Sequence, residues 1–397
     1  MYQPRMLING QWVVGGSDVE LPVLNKFSGE TIARIREATA EQVQQAVDAA
    51  QAAFEGEELS PHRRFQILEK ASRLVQEDAQ ALARMLVREV GKTIRESRAE
   101  VNSAAAALLN AAEEAKRIDG ETIPVEANPG SERRFAVVMH TPSGPVCAIT
   151  PFNAPLNQAA HKVAAAIAAG SPVVLKPSEQ TPITAYRLAE ILVEAGLPAG
   201  HLAVVFGRGP SVGEQLLKDP RFSRYTFTGS ARTGRHILET VGIRPVALEL
   251  GSNAPTIVFP DADLEQAALA ARASGYAIAG QVCTSVQRLY VHESVIDRFT
   301  EIFVDKVGRL KVGDPMDDAT DVGPVLTDAA AERAERLLSE AVQNGAEVLI
   351  GGKREGRMFQ PTVLGNVRRP MAVVCQEVFA PIVNIMPFKD TDEVIRE

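Results

Sequence analysis

The sequence predicts an α/β fold with parallel sheets covered on both faces by helices. Three observations carry this expectation. From Val146 onward, short apolar runs alternate with segments of helical spacing. Runs such as Val146-Cys147-Ala148-Ile149-Thr150 are continuously apolar, as strands buried on both faces are. Asn153, Lys176, Gly229 and Glu249 each end such a run or closely follow one. Ligands of open parallel sheets lie at those carboxyl ends.

Composition narrows the class. The chain has 397 residues, a length that fits two or three domains. Its 45% hydrophobic and 23% charged content suits a globular protein with a large core. Formal net charge is −8, and the Arg pairs at 63–64, 133–134 and 368–369 are isolated, so no nucleic-acid partner is expected. No apolar run approaches membrane-spanning length, and no apolar stretch of a secretion signal follows Met1-Tyr2-Gln3-Pro4-Arg5. No membrane partner and a cytoplasmic location are the expectation. Cys147, Cys283 and Cys375 are too scattered for a disulfide framework or a Cys-based zinc site. The six histidines lack H-x-x-x-H spacing, so no metal is expected.

The elements follow in order. Residues 7–14 form a hairpin turning on Asn9-Gly10. A helix runs from Thr39 to Phe54, with Thr39 as cap and Gln42 three residues on. Ser60-Pro61 opens the next helix, whose apolar pattern continues to Gly91. A third spans about 93–118. Pro124, Asn128, Pro129 and Gly130 then break the chain, and 134–139 reads as a strand. This excursion either reaches toward another subunit or is an ordinary surface hairpin. Strands are expected at 146–150, 172–176, 202–206, 225–228 and 246–250, with helices between them at about 158–169, 181–195, 211–218 and from Ser230. The second half adds strands at 256–259, 286–292, 348–350, 361–364 and 383–386. Its helices are a segment ending at Ala279, one at 296–310 and one at 328–344; residues 390–397 read as a cap and first turns.

Several stretches carry candidate chemistry, each beside a plainer reading. Cys283, in Gly280-Gln281-Val282-Cys283-Thr284-Ser285, lies at a bend between a helix and a strand. It is either a packed small hydrophobe or a nucleophile. Phe227-Thr228-Gly229-Ser230 with Gly234 is a strand, turn and helix start that could take a phosphate, or a simple N-cap by Ser230. Lys176-Pro177-Ser178-Glu179 offers a cation and a carboxylate for ribose hydroxyls, or two solvated charges. Glu249 sits inside an apolar run; buried there, its raised pKa would suit a general base, and otherwise it turns to solvent. Asn153, between Pro151 and Pro155, is either a fixed amide donor for an oxyanion or an Asx-turn residue.

Together these stretches, with Leu248-Glu249-Leu250-Gly251 and Glu377-Val378-Phe379-Ala380-Pro381, occur in an order and at separations that resemble the NAD(P)-dependent aldehyde dehydrogenase superfamily. The resemblance covers essentially the whole chain. It implies a Rossmann-like NAD-binding domain (1–120 and 140–250), an oligomerisation hairpin (121–139) and a second α/β catalytic domain (251–397). It also implies a homodimer or homotetramer. Cys283 resembles the nucleophile, Asn153 with the Cys283 N–H the oxyanion hole, and Glu249 the base that activates water. Lys162 matches a lysine near the catalytic relay. The cofactor-binding set implied is Thr150, Pro151, Phe152, Lys176, Ser178, Glu179, Gly229, Ser230, Gly234, Leu250, Gly251, Glu377 and Phe379.

The implied reaction is oxidation of an aldehyde to a carboxylic acid through a Cys283 thiohemiacetal and thioester, hydrolysed by water that Glu249 activates. Glu179 favours NAD, with NADP as the alternative. The sequence resembles the lactaldehyde, non-phosphorylating glyceraldehyde-3-phosphate and succinate-semialdehyde dehydrogenase branches. Val282 stands where phosphate-handling members often place Arg, and Ala154 where a larger residue is common. A small, non-phosphorylated aldehyde is therefore expected: lactaldehyde, a semialdehyde or an aliphatic aldehyde. The family normally continues for several tens of residues past Glu397, so a shortened chain is expected. The alternative is a catalytically silent form that binds nucleotide or a partner. A cysteine hydrolase would need a histidine base, and no histidine here has a context that marks it as one.

Overall fold

A computed structural model describes residues 2–397. The chain forms two compact units. The first comprises the chain up to Val23, Ala33–Leu82 and Glu100–Glu249; the second comprises Leu24–Ile32, Ala83–Ala99 and Leu250–Glu397. This division differs from the expected one at 24–32 and 83–99, which join the second unit.

Among the described residues, the first unit is built on a seven-stranded sheet. Its order is Val246–Glu249, Arg224–Thr228, Val146–Ile149, Val173–Lys176, Leu202–Val204, Met6–Ile8, Gln11–Val13. The first five strands are parallel. Met6–Ile8 runs antiparallel to its neighbours, and its hairpin turns on Asn9 and Gly10, both left-handed (φ 47° and 73°). That is the geometry an Asn-Gly hairpin demands. The central strand Val173–Lys176 is buried throughout, which explains its unbroken apolar sequence. The chain builds outward from Val146–Ile149 in one direction, then returns to add Arg224–Thr228 on its other side. The crevice between those two strands is a topological switch point, where such sheets bind ligands.

Helix starts follow their caps. Ala40–Glu55 carries a full capping box between Thr39 and Gln42. Pro61–Glu77 begins with Pro at its first turn behind Ser60. The helix expected from 61 to 91 is in fact two, Pro61–Glu77 and Ala79–Val90. Asp78 leaves helical geometry (φ −89°, ψ 9°), and its carboxylate takes a 2.7 Å ion pair from Arg187 Nε. Asp competes poorly as a helix-interior residue, and this partner lies outside the helix. The excursion forms an antiparallel ribbon, Glu121–Ile123 with Ala136–Val138. It leaves Phe135 and Met139 largely exposed.

The second unit has, among the described residues, a five-stranded sheet ordered Pro255–Val258, Arg288–His292, Ile382–Phe388, Thr362–Gly365, Glu347–Ile350. All are parallel except the antiparallel edge Glu347–Ile350. Period-two alternation divides its core. Leu289, Val291, Val383 and Ile385 pack on one face with Phe299 and Phe303. Tyr290, Ile382, Met386 and Phe388 pack on the other with Leu337 and Leu338. The helices Leu264–Tyr276 and Ile296–Gly308 thus cover one face, and Asp328–Gln343 covers the other. Among the described residues, no helix is long and apolar enough to cross a membrane. Nor does any group of three or more His, Cys, Asp or Glu there have the makings of a metal site.

Candidate active site

In the first unit, the segment Thr150–Asn153 leaves the carboxyl end of Val146–Ile149, at the switch point. Asn153 is half-buried. The helix after it, Pro155–Ala168, starts earlier than expected, with Pro155 at its first turn and no side-chain cap from Ala154. The buried Glu100 supplies the cap instead: one carboxylate oxygen accepts from Leu156 N (2.9 Å) and Asn157 N (3.1 Å). A carboxylate at a helix start satisfies free N–H groups and meets the positive dipole end.

Lys162 sits on that helix, 8% exposed. Its Nζ donates to Thr228 Oγ1 (2.8 Å) and Thr226 Oγ1 (3.2 Å) on the neighbouring strand. Burial pulls its pKa down to about 8, against the upward pull of Glu249. Glu249 is exposed, so of the two readings of this carboxylate the buried one does not hold and it turns to solvent. The reason is sheet order: Val246–Glu249 is the edge strand and alternates between half-buried and exposed residues. Glu249 lines a cleft of about 780 Å³ with Gln158, Lys162, Arg224 and Thr226.

The cofactor candidates of this unit collect at adjacent carboxyl ends. Thr150 is buried, and its hydroxyl has no hydrogen-bond partner. Lys176 ends its strand almost fully buried, 3.7 Å from Glu179. Burial lowers the Lys176 pKa, opposed by Glu179. Pro151, Phe152 and Ser178 are half-buried beside these residues in sequence. Ser230 caps the helix Ala231–Val241, its Oγ accepting from Thr233 N at 3.3 Å, while Gly234 is buried within the first turns. Gly229 faces the Phe227 ring, which a Cβ would strike at 2.5 Å.

In the second unit, the helix expected to run to Ala279 stops at Tyr276, and the next strand begins at Arg288. Cys283 therefore lies on a longer irregular segment. Ile278, Ala279 and Gly280 are consecutively left-handed (φ 49°, 53° and 74°). Non-glycine residues there cost on the order of 1–3 kcal/mol each. Two side chains fasten the turn. Glu96 Oε1 accepts from Ile278 N at 2.7 Å. Gln281, 1% exposed, donates from Nε2 to Ile278 O (3.0 Å) and accepts from Leu326 N (2.9 Å). Cys283 itself is half-exposed. By contrast Cys147 is fully buried, which pushes its thiol up to about 12 and makes it inert. Cys375 is exposed in the short helix Ala372–Cys375.

Glu377 and Gly251 are brought together: a Cβ on Gly251 would lie 2.1 Å from the Glu377 carboxylate. Ser252 N donates to Glu377 Oε1 at 3.3 Å, yet burial raises the Glu377 pKa. Arg333 holds the backbone beside it, donating to Glu377 O (2.8 Å) and Val378 O (2.7 Å). Phe379 is left-handed (φ 55°) and half-buried; Leu250 is likewise half-buried.

Sequence reasoning missed Glu96 and Glu100, and assigned no role to Gln281. Thr93-x-x-Glu96 has the capping-box pattern that could have flagged Glu96. Nothing local marks Glu100.

The chain matches the aldehyde dehydrogenase family over residues 12–397 and belongs to that family. It is 47% identical to a 3-sulfolactaldehyde dehydrogenase of Priestia megaterium over 99% of this chain and 82% of the relative. It is 38% identical to the succinate-semialdehyde dehydrogenase [NADP(+)] GabD of Escherichia coli, over 100% of this chain and 83% of the relative. A solved structure titled 3,6-anhydro-L-galactose dehydrogenase in complex with NAP superposes with TM-score 0.95 at 36% identity, covering 100% of this chain and 84% of that one.

Proposed function

We propose that this family member oxidises a short aldehyde bearing an anionic group other than phosphate, with Cys283 as nucleophile and NAD as preferred cofactor. One observation carries the assignment of the thiol. Cys283 is the half-exposed cysteine three residues after a turn of three left-handed residues, fastened from two sides. Substrate class rests on the relatives. Their names specify 3-sulfolactaldehyde, succinate semialdehyde and aspartate semialdehyde, each a short aldehyde with a sulfonate or carboxylate. Val282 and Ala154 are the residues that argue against a phosphate.

The residues fit a dinucleotide. The orphaned Thr150 hydroxyl and the desolvated Lys176 lie at neighbouring strand ends by the switch point, where a ligand would complete their partners. Lys176 and Glu179 would hold the adenosine ribose, with Pro151, Phe152 and Ser178 beside them. Gly229, Ser230 and Gly234 would take the pyrophosphate, and Glu377, with Leu250, Gly251 and Phe379, the nicotinamide ribose. The Glu179 carboxylate accepts from a 2′-hydroxyl and repels a 2′-phosphate, which favours NAD over NADP. When bound, the nicotinamide supplies the hydride acceptor.

The chain's own residues do the rest. The Cys283 thiolate adds to the aldehyde carbon, and the Asn153 amide donates to the oxyanion. After hydride loss the carbon is a Cys283 thioester. Glu249 takes a proton from the attacking water, which hydrolyses the thioester to carboxylic acid and free thiol. Exposure suits Glu249 to this step, because solvent reaches it directly. Lys162, neutral in a larger fraction than an ordinary lysine, lines the same cleft and can pass that proton on.

The exposed apolar strip on the ribbon at 121–139 further supports assembly into a homo-oligomer. Sedimentation of Phe135→Asp against the parent tests it.

The direct test is nicotinamide reduction with 3-sulfolactaldehyde, succinate semialdehyde, lactaldehyde and glyceraldehyde-3-phosphate, using Cys283→Ala as control. The first two are expected to lead and the phosphate ester to trail. Retained NAD binding without turnover of any aldehyde would instead support the silent binding form.

A further inference from the structure

We infer that Glu96 is a positioning residue for Cys283: one carboxylate both caps a helix and holds the left-handed turn that aims the thiol. This rests on the reading of Cys283 as nucleophile.

The two oxygens of Glu96 divide the work. Oε2 accepts from Thr93 N (2.9 Å) and from Thr93 Oγ1 (2.9 Å), while Glu96 N donates to Thr93 Oγ1 at 3.3 Å. That is a reciprocal cap on Ile94–Ala115. Oε1 is left to accept from Ile278 N at 2.7 Å, across 182 residues of sequence. A capping glutamate normally spends its carboxylate within its own helix; here half of it is turned outward onto one backbone group.

That group begins a costly conformation. A β-branched residue is a genuine outlier in the left-handed region, and Ile278 is followed there by Ala279 (φ 53°). Glycine would adopt both positions freely. Such backbone persists only where its surroundings over-determine it. Glu96 holds the turn at the Ile278 N–H, and Gln281 holds it at the Ile278 carbonyl. At its end, a Cβ on Gly280 would lie 2.2 Å from Ala380 O, so the backbone is pressed into place. Cys283 follows three residues later. The direction in which the turn delivers the chain therefore sets the thiol, and Glu96 acts through that turn without touching the reacting atoms.

Glu96→Asp separates the two duties. The shorter carboxylate still caps Thr93 but withdraws from Ile278. Glu96→Gln keeps the length and an acceptor oxygen. Iodoacetamide alkylation of Cys283, followed peptide by peptide with Cys375 as internal reference, reads the thiol's placement without cofactor or substrate. In Glu96→Asp we expect Cys283 alkylation to slow by about tenfold across the pH profile while Cys375 is unchanged. Turnover should fall by a factor of about ten to a hundred with KM nearly constant. Glu96→Gln should recover most of both. Adding Ile278→Gly to Glu96→Asp should also restore alkylation, because glycine accepts the turn without a clamp. Parental Cys283 alkylation in Glu96→Asp would overturn the inference. So would a loss that neither Glu96→Gln nor Ile278→Gly recovers, which would mark a general structural role. The nucleophile reading fails separately, if Cys283→Ala still oxidises the aldehydes. The alkylation rates then still report the clamp.

Discussion

Asn153 and Cys283 both sit on short irregular segments, and the two segments are fixed differently. Asn153 follows a parallel strand at a sheet's switch point, stands between two prolines, and precedes a helix that Glu100 caps. Its backbone follows from rules of strand ends and helix starts. Cys283 follows a left-handed turn that Ile278 and Ala279 do not favour, held by Glu96 from 182 residues earlier and by Gln281, which is itself pinned to Leu326 N. The first arrangement is held mostly by local choices that agree, with one cap supplied by Glu100 from 56 residues earlier. The second is stiff because two side chains, one of them distant, overrule a local preference, which concentrates its vulnerability in a few atoms.

The sharpest way to break this contrast is Gly280→Ala. The added Cβ meets a backbone oxygen at 2.2 Å and φ is +74°, so strain and clash act together. A loss of about 3 kcal/mol or more in denaturant unfolding is expected, with turnover abolished. Asn153→Ala tests the proposed oxyanion role: kcat should drop by about 100- to 1000-fold while the melting temperature stays put. A matching fall in melting temperature would mean that the amide holds the segment.

Lys162 sharpens the comparison through pH. Its pKa is about 8 when folded against 10.5 as a free side chain. Between those values the unfolded chain binds a proton that the folded chain has released. Stability from this group therefore rises with pH across that window and is lost as pH falls through about 8, a swing of about 1–3 kcal/mol. Lys26, also lowered to about 8 by burial, contributes with the same sign. Lys162→Met should remove only its own share of the slope in pH-dependent unfolding. The smallest effect is expected from Glu100→Ala, which strips the helix cap behind Asn153 for about 1–2 kcal/mol. The same experiment would show a large kcat loss if that segment depended on one clamp as the cysteine turn does.

Much was legible from residue order. The Asn9-Gly10 hairpin, the Thr39 capping box, the Ser60-Pro61 start and the Ser230 cap all formed where local chemistry placed them. These features depend on groups within four residues of one another, and so they are written in short stretches of chain. The family motifs were legible for a related reason: each is a compact segment whose residue types recur together.

What the sequence could not settle depended on partners far along the chain. Asp78 divides a continuous apolar pattern into two helices, and its carboxylate pairs with Arg187, 109 residues on. Glu249 was exposed because strand order put Val246–Glu249 at an edge, a fact absent from its own apolar run. The helix toward Cys283 ended at Tyr276, and the turn that replaced it is paid for by a glutamate 182 residues earlier. Residue order by itself determined the alternation of strands and helices, the local caps and turns, and the family. Tertiary structure decided their burial and aim, because those are set by long-range contacts strong enough to outweigh local backbone preference.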